Sequence, residues 1–120
     1  MTMPENGGEP VAALSLTSST VDEITVVKVD GVLDATTREQ FADYLVMAGS
    51  DLILDLAGVT FMDSRALGLI VHHWQTSLAS GAKFALIGVE YSKSKVMWIT
   101  GLAQRLPLYD TLDEALAAIK

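Results

Sequence analysis

The amino-acid sequence predicts one α/β domain, with a mixed β-sheet and helices packed mainly on one face, in the order β-β-α-β-α-β-α-β-α. Two observations support this class. Two segments near the start of the domain alternate or are rich in β-branched residues, as the strands of a hairpin are. Later apolar runs are separated by segments with helical spacing, which is typical of parallel strands joined by helices. The 120 residues are enough for a single hydrophobic core.

The individual elements follow from local patterns. In order they are strands 11–19 and 24–29, a helix that starts between 34 and 37 and ends before Gly49, strand 51–56, helix 64–79, strand 83–89, helix 92–100, a short edge strand at 108–109, and a helix from 112 onwards. Thr36 and Thr111 each stand three positions before a glutamate, which is the spacing of a capping box. Residues 1–10 are polar and contain Gly and Pro, so they predict a flexible N-terminal tail before a domain of residues 11–120.

The helix that begins near residue 64 is expected to bury one apolar stripe. The stripe consists of Leu67, Ile70, Val71, Trp74 and Leu78. In the next helix, Val96 and Ile99 are three positions apart and are expected to face the core. Trp98 lies off that stripe and is expected to be exposed beside Met97, which suits a contact surface; a Trp folded over the helix edge is an equal alternative.

The central motif is the segment Phe61–Gly68, which joins the third predicted strand to the helix after it. Ser64 stands where an N-cap is expected, so its Oγ is predicted to lie at the positive end of that helix. Such a position accommodates a phosphate, and Ser64 is therefore a candidate for a switch by phosphorylation rather than a nucleophile. From the residues alone, a plain capping serine is the preferred interpretation.

Composition and charge argue against several function classes. The net charge of −7 disfavours nucleic-acid binding and contact with an anionic membrane surface. The chain has no cysteine, which excludes disulfides and thiolate metal sites. No segment reaches the roughly 18 apolar residues of a membrane span, and the first residues do not form a signal peptide, so a cytoplasmic protein is expected.

An enzyme is not expected either. His72 and His73 lie two turns or more beyond Ser64 on the same predicted helix, too far for a hydrogen bond to its hydroxyl. Adjacent histidines point about a hundred degrees apart on a helix, which is poor geometry for one metal ion. The sequence also lacks a Gly-x-Ser-x-Gly elbow, a P-loop and a Gly-x-Gly-x-x-Gly run. We therefore expect no catalytic residue, no metal site and no cofactor.

Three stretches of the chain resemble the anti-sigma factor antagonists, the STAS-domain proteins of bacterial partner-switching systems. They are Gly31-Val32-Leu33-Asp34, the segment 54–64 that ends in Phe61-Met62-Asp63-Ser64, and residues 100–102 together with 109–116. The resemblance covers roughly residues 14–119, so 11–120 is identified as a STAS-like domain. The sequence departs from the family pattern at Arg65, Ala66 and Val32, where the family usually has Ser or Thr, Gly and an acidic residue.

The resemblance implies a protein that binds an anti-sigma factor of serine-kinase fold and so releases a sigma factor for transcription. The kinase would phosphorylate Ser64, which matches the family's serine directly after the loop aspartate, and a phosphatase would reverse this step. The expected partner-binding residues are Asp34, Phe61, Met62, Asp63, Ser64, Arg65, Ala66 and Trp98. The Arg65 guanidinium is expected to pair with Asp63, with a phosphate on Ser64, or with a carboxylate of the partner.

Two alternatives within the same resemblance stay open. One is a cytoplasmic STAS accessory subunit of a membrane lipid transporter. The other is a STAS scaffold that is never phosphorylated. In each case a monomer or weak dimer is expected.

Overall fold

A computed structural model describes residues 13–120. The strands are β1 (Leu14–Val21), β2 (Ile24–Leu33), β3 (Leu52–Met62), β4 (Phe84–Ile87) and β5 (Leu108–Tyr109), and the helices are α1 (Arg38–Ala48), α2 (Ser64–Ser80), α3 (Lys95–Ile99) and α4 (Leu112–Ile119). The five strands form one sheet in the order β1-β2-β3-β4-β5. The predicted element order is therefore confirmed, whereas the predicted tail at residues 1–10 lies outside the described residues.

The sheet is mixed, as predicted. β1 and β2 form an antiparallel hairpin, and the remaining neighbours pair in parallel. The hairpin turns at Asp22 and Glu23, which both have positive φ angles of 52° and 68°. Two adjacent positive φ angles give a turn whose twist matches that of the flanking strands.

The second and third strands are longer than predicted. Their parallel pairing continues past Asp30 and ends at the pair Leu33–Met62, with irregularities between Lys28 and Asp30 and between Gly31 and Val32. These bulges absorb the irregularity and keep both strands in the sheet. The extra length brings the carboxyl ends of β2 and β3 to the same edge of the sheet.

The helices pack mainly on one face of the sheet. The larger core cluster lies on that face and includes Phe41 and Leu45 of α1, Ala66, Leu67 and Ile70 of α2, and Met97 of α3. The smaller cluster joins Ala115 and Leu116 of α4 to Ile24, Ile53, Ala85 and Ile87. Because Leu52 and Leu54 belong to the first cluster and Ile53 to the second, β3 is buried on both faces, as its sequence predicted.

The predicted helix faces are wrong at Leu78 in α2 and at two residues in α3. Leu78 is 66% exposed, and Ser77 is buried instead. Ser77 lies seven residues after buried Ile70, nearly two full helical turns, so it returns to the core face while Leu78 rotates away. In α3, Met97 is fully buried and Ile99 is 80% exposed, because this short helix presents Met97 to the core.

The cap of α4 forms largely as its sequence predicted. The Thr111 Oγ1 accepts a hydrogen bond from the Glu114 amide at 3.1 Å. The Glu114 carboxylate accepts from the Asp110 amide at 3.2 Å rather than from Thr111 itself. The glutamate thus ties α4 to the end of β5, one residue earlier than a capping box requires.

Replacing Gly31 by alanine is expected to destabilise the fold more than replacing Gly81. Both glycines have positive φ, 116° and 76°, but a Cβ at Gly31 would overlap the carbonyl oxygen of Ala13, while a Cβ at Gly81 would meet nothing within 4 Å. That carbonyl is held by the Val32 amide at 2.9 Å and cannot move freely. We expect losses of about 2–4 kcal/mol for Gly31→Ala and about 1–2 kcal/mol for Gly81→Ala in urea unfolding; equal losses would contradict the backbone overlap.

Candidate functional site

The candidate site forms where β2 and β3 end side by side. Leu33 pairs with Met62, and the Asp63 amide donates to the Leu33 carbonyl at 2.9 Å. The next residues on the two strands are Asp34 and Asp63, so two carboxylates leave the same edge of the sheet. This is the edge at which α/β proteins commonly bind their ligands.

Asp63, not Ser64, is the N-cap of α2. The Asp63 Oδ1 accepts the backbone amides of Arg65 at 3.0 Å and Ala66 at 2.9 Å. Its backbone is extended, with φ −99° and ψ 176°, because β3 runs straight to the helix start. The predicted capping role of Ser64 is therefore wrong by one residue. A carboxylate satisfies the free amides of a first turn as a hydroxyl does, and adds a favourable charge at the positive helix end.

The Ser64 hydroxyl is left free by this arrangement. Ser64 is the first residue of α2 and is exposed. Its Oγ makes no hydrogen bond to another residue within the part of the chain that the structure describes. The site therefore presents an accessible hydroxyl at the N-terminus of a 17-residue helix.

The Asp34 turn is held by its own threonines. The Asp34 Oδ1 accepts from the Thr36 amide at 2.8 Å and from the Thr36 hydroxyl at 2.6 Å. The Thr37 hydroxyl donates to the Val32 carbonyl at 2.7 Å and accepts from the Asp34 amide at 3.1 Å. These bonds use Thr36 and Thr37 locally, so the predicted capping box of Thr36 with a later glutamate does not form, and α1 starts at Arg38.

The Thr36 hydroxyl stabilises the ionised form of Asp34. Its hydrogen bond is the largest cause that lowers the pKa of Asp34, and the backbone amides of Thr36 and Thr37 lower it further. Burial raises the pKa of Asp34, but the hydrogen bonds together lower it by more. Hydrogen bonds to the charged form favour that form, so Asp34 contributes a full negative charge to the site at neutral pH.

Ser64 borders an open groove of about 440 Å³ between the loop and α3. We call it the Ser64 groove; its lining comprises Phe61, Met62, Asp63, Ser64, Ser92, Lys93, Lys95, Val96 and Ile99. Phe61 is 52% exposed, and Ile99 is the residue that was wrongly expected in the core. The groove thus combines exposed apolar side chains with two lysines beside the hydroxyl of Ser64.

Two members of the predicted partner-binding set are buried. Met62 and Ala66 are 3% and 0% exposed, so they support the loop from beneath and offer little side-chain surface to a partner. Trp98 is 37% exposed and packs edge-on against Tyr91 with ring centroids 5.2 Å apart, so each of its two predicted placements is met in part. Met97, which was expected to be exposed beside it, is buried. Trp98 does not line the Ser64 groove. The residue of α3 that does so with a large exposed apolar side chain is Ile99.

Arg65 lies outside the Ser64 groove. It does not line that groove, and it does not form the ion pair with Asp63 that was one of its predicted interactions. Its side chain instead borders a separate cleft together with Arg38 and His72. Successive residues on a helix point about a hundred degrees apart, which separates Arg65 from Ser64 although the two are adjacent in sequence.

The two histidines have different surroundings, and neither is placed to act on Ser64. His73 is half-buried and its ring packs on Phe84, with centroids 5.2 Å apart. Burial, followed by the neighbouring His72, lowers the pKa of His73 and favours the neutral ring. Among residues 13–120 no group of three or more potential metal ligands is found, and no helix has the length and apolarity to cross a membrane.

Comparison with known proteins identifies relatives over nearly the whole domain. The model of the STAS domain family matches residues 15–115. An anti-sigma-B factor antagonist of Staphylococcus epidermidis is 32% identical over 93 residues, which is 74% of this chain and 86% of that protein. The anti-sigma-F factor antagonist RsfA of Mycobacterium tuberculosis is 22% identical over 112 residues, 88% of each chain. The crystal structure of an anti-sigma factor antagonist from Mycobacterium paratuberculosis superposes with a TM-score of 0.78 at 26% identity, covering 88% of this chain and 93% of that one.

Removing the Asp63 carboxylate is expected to destabilise the protein, whereas removing the Ser64 hydroxyl is not. Asp63→Ala deletes the acceptor of two amide hydrogen bonds, and we expect a loss of about 1–2 kcal/mol in urea unfolding. Ser64→Ala deletes a hydroxyl without a partner among the described residues, so a change below about 0.5 kcal/mol is expected. If Ser64→Ala destabilised as much as Asp63→Ala, the assignment of the cap to Asp63 would be wrong.

Removing the Thr36 hydroxyl is expected to raise the pKa of Asp34 towards its ordinary value of 3.8. Because the folded pKa is depressed, Asp34 stabilises the fold above pH 3.8 and loses that contribution as the pH falls through the folded pKa. Thr36→Val keeps the side-chain shape but removes the donor, so this contribution shrinks. Carboxyl NMR titration measures the pKa, and Thr20→Val on the exposed part of β1 serves as a control that leaves it unchanged.

Proposed function

The chain belongs to the STAS domain family, and we propose that it is an anti-sigma factor antagonist that binds an anti-sigma factor of kinase fold and so frees a sigma factor. We further propose that phosphorylation of Ser64 by that partner weakens the complex and that a phosphatase restores it. Relatives that cover most of this chain are named anti-sigma factor antagonists. The observation that carries the proposal is the free, exposed hydroxyl of Ser64 at the rim of a groove.

The geometry of the loop suits modification without unfolding. A kinase must reach the Ser64 Oγ, and that atom is exposed and is not held by another described residue. The helix start depends on Asp63, whose carboxylate already holds the amides of Arg65 and Ala66. A phosphate on Ser64 therefore leaves the cap of α2 in place. The fold can accept the modification and confine its effect to the surface.

The new charge would act on the binding surface directly. Phosphorylation adds about −1.5 to −2 charges and three acceptor oxygens. Because Asp63 already occupies two amides of the first turn, the phosphate cannot use those donors, and part of its charge stays at the surface. Asp63 and ionised Asp34 add negative charge at the same edge of the sheet. A contact that buries Phe61 and Ile99 would then have to exclude water from a charged group, which is costly.

A modest change is enough for a switch. Each 1.4 kcal/mol changes affinity about tenfold, so a loss of about 2–3 kcal/mol separates a bound from a free partner at ordinary concentrations. Lys93 and Lys95 moderate this effect, because they line the same groove and attract a phosphate. Lys93 is also 3.8 Å from the Glu90 carboxylate, in an exposed pair that holds it weakly.

We propose binding rather than catalysis as the activity of this chain. Relatives carry the names of regulatory binding proteins. Neither histidine of α2 is placed to activate Ser64, since His72 is eight residues further along the helix, about 12 Å along its axis, and His73 is one residue beyond it. A phosphorylated Ser64 is in this view the product of another enzyme.

The proposal is tested with the anti-sigma factors of kinase fold from the same organism. Incubation with such a kinase and ATP is expected to place one phosphate on Ser64 and none on Ser64→Ala, as measured by mass spectrometry. Unmodified protein is expected to bind the kinase, and Ser64→Asp to bind about tenfold or more weakly in calorimetry. Ser19→Asp adds the same charge on exposed β1, at the opposite end of the sheet, and is expected to bind as the parent does.

Three results would contradict the proposal. Equal binding by the parent and Ser64→Asp would show that a negative charge at Ser64 does not control binding. Phosphate on another residue would remove the assignment to Ser64. Binding to no such kinase, together with co-purification with a transporter ATPase, would favour the accessory subunit of a membrane lipid transporter.

A further inference from the structure

A second binding surface lies between α1 and α2, next to the Ser64 groove but separate from it. One end is a cleft of about 610 Å³ bordered by Arg38, Arg65 and His72. The other end is an apolar groove of about 430 Å³ that includes Leu45 and Val46. Leu69 and His72 line both cavities, so the two are adjacent. We call the surface that comprises both cavities the α1–α2 trough.

Positive charge is concentrated at one end of the trough, which is unusual for an acidic chain. The protein has 8 basic and 15 acidic residues, yet two arginines border one cleft. Neither forms an ion pair with an acidic residue among those described. Glu39 and Asp43, the other charged residues of α1, line neither cavity. Each of these exposed guanidinium groups presents a planar fork of N–H donors, and that geometry suits a carboxylate.

The apolar end argues for a protein ligand rather than a small anion. Val46 is 83% exposed, and the aliphatic side chains of Ala42, Leu45 and Leu69 line the same groove, together with Gly49 and four polar residues. An inorganic anion would use the arginines and leave this wall in water. Nucleic acid and anionic lipid are bound by extended basic surfaces, and two arginines at one cleft do not form such a surface. A ligand that matches both ends must carry acidic groups at one end and apolar side chains along the rest.

We propose that the α1–α2 trough binds an acidic amphipathic segment of a partner protein, with its carboxylates on Arg38 and Arg65 and its apolar side chains along Leu69 and Val46. From Arg38 to Gly49 the trough follows about 16 Å of helix axis, which matches about three turns of a bound helix. This surface does not depend on the proposed phosphorylation of Ser64. It provides a contact whose specificity comes from charge at one end and apolar burial at the other.

The test uses a designed peptide as the probe. Its first turn carries three glutamates, and leucines follow at helical spacing on one face; a control peptide has glutamines in place of the glutamates. Fluorescence anisotropy at low salt is expected to show saturable binding of the acidic peptide, weakened by added salt and by the exchange to glutamine. Amide shifts in NMR spectra are expected at Arg38, Arg65, Leu69 and Val46.

Two pairs of variants locate the site, each with a matched control. Arg38→Gln with Arg65→Gln is expected to weaken the peptide about fivefold, while Lys93→Gln with Lys95→Gln removes the same charge at the Ser64 groove and changes it less than about twofold. Val46→Asp is expected to weaken the peptide by at least about tenfold, because it places a charge in the apolar end. Met47→Asp is its control: Met47 is 85% exposed and borders neither cavity of the trough.

Several results would overturn the inference. These are equal weakening by both charge variants, equal binding of both peptides, or no saturable binding of the acidic peptide at millimolar concentration. A dimer of the parent chain that Val46→Asp dissociates would show that a second copy, not a partner segment, occupies the trough. Failure of the Ser64 gate leaves all of these readouts unchanged, so the two proposals are judged separately.

Discussion

The hydrogen bonds of the Asp63 carboxylate to the amides of Arg65 and Ala66 determine the geometry of the candidate site. They let β3 run extended to its last residue and start α2 immediately after it. The backbone bond from Asp63 to Leu33 fixes this junction to the end of β2. Ser64 is left exposed because its neighbour performs the capping. A helix start that does not need the hydroxyl can carry a modified hydroxyl.

Local patterns predicted the elements well, but not the choice between two adjacent capping residues. Asp63 and Ser64 are both good N-caps, and spacing cannot separate them. The choice depends on how far β3 extends, and that follows from its pairing with β2 through Leu33 and Met62. The same long-range pairing explains why the sequence placed the end of the third strand six residues too early. Whether a segment is a strand or a helix follows from its local sequence. The end of β3, in contrast, is set by its pairing with β2.

The site residues also divide into those that the sequence predicts and those that only the tertiary structure shows. Ser64 was predicted from its place at the start of a helix and from the family resemblance, and Asp34 from the resemblance alone. Lys95 and Ile99 were missed as parts of the Ser64 groove, since they come from α3, about thirty residues later in the chain. Helical spacing placed Ile99 in the core, but a five-residue helix buries only what its packing allows, and Met97 takes that place. A single sequence carries no signal for such docking.

Arg65 follows Ser64 in the sequence but lines only the α1–α2 trough and not the Ser64 groove. Ser64 and Arg65 are neighbours in the chain, yet the helix directs one towards α3 and the other towards α1. A charge added at Ser64 acts strongly within the Ser64 groove. Its effect along the α1–α2 trough decays with the screening length of about 8 Å at physiological salt, while Val46 lies about 12 Å beyond Arg38 along α1. Under the two proposals, phosphorylation of Ser64 would therefore switch the contact at that residue and leave a contact at Val46 nearly unchanged.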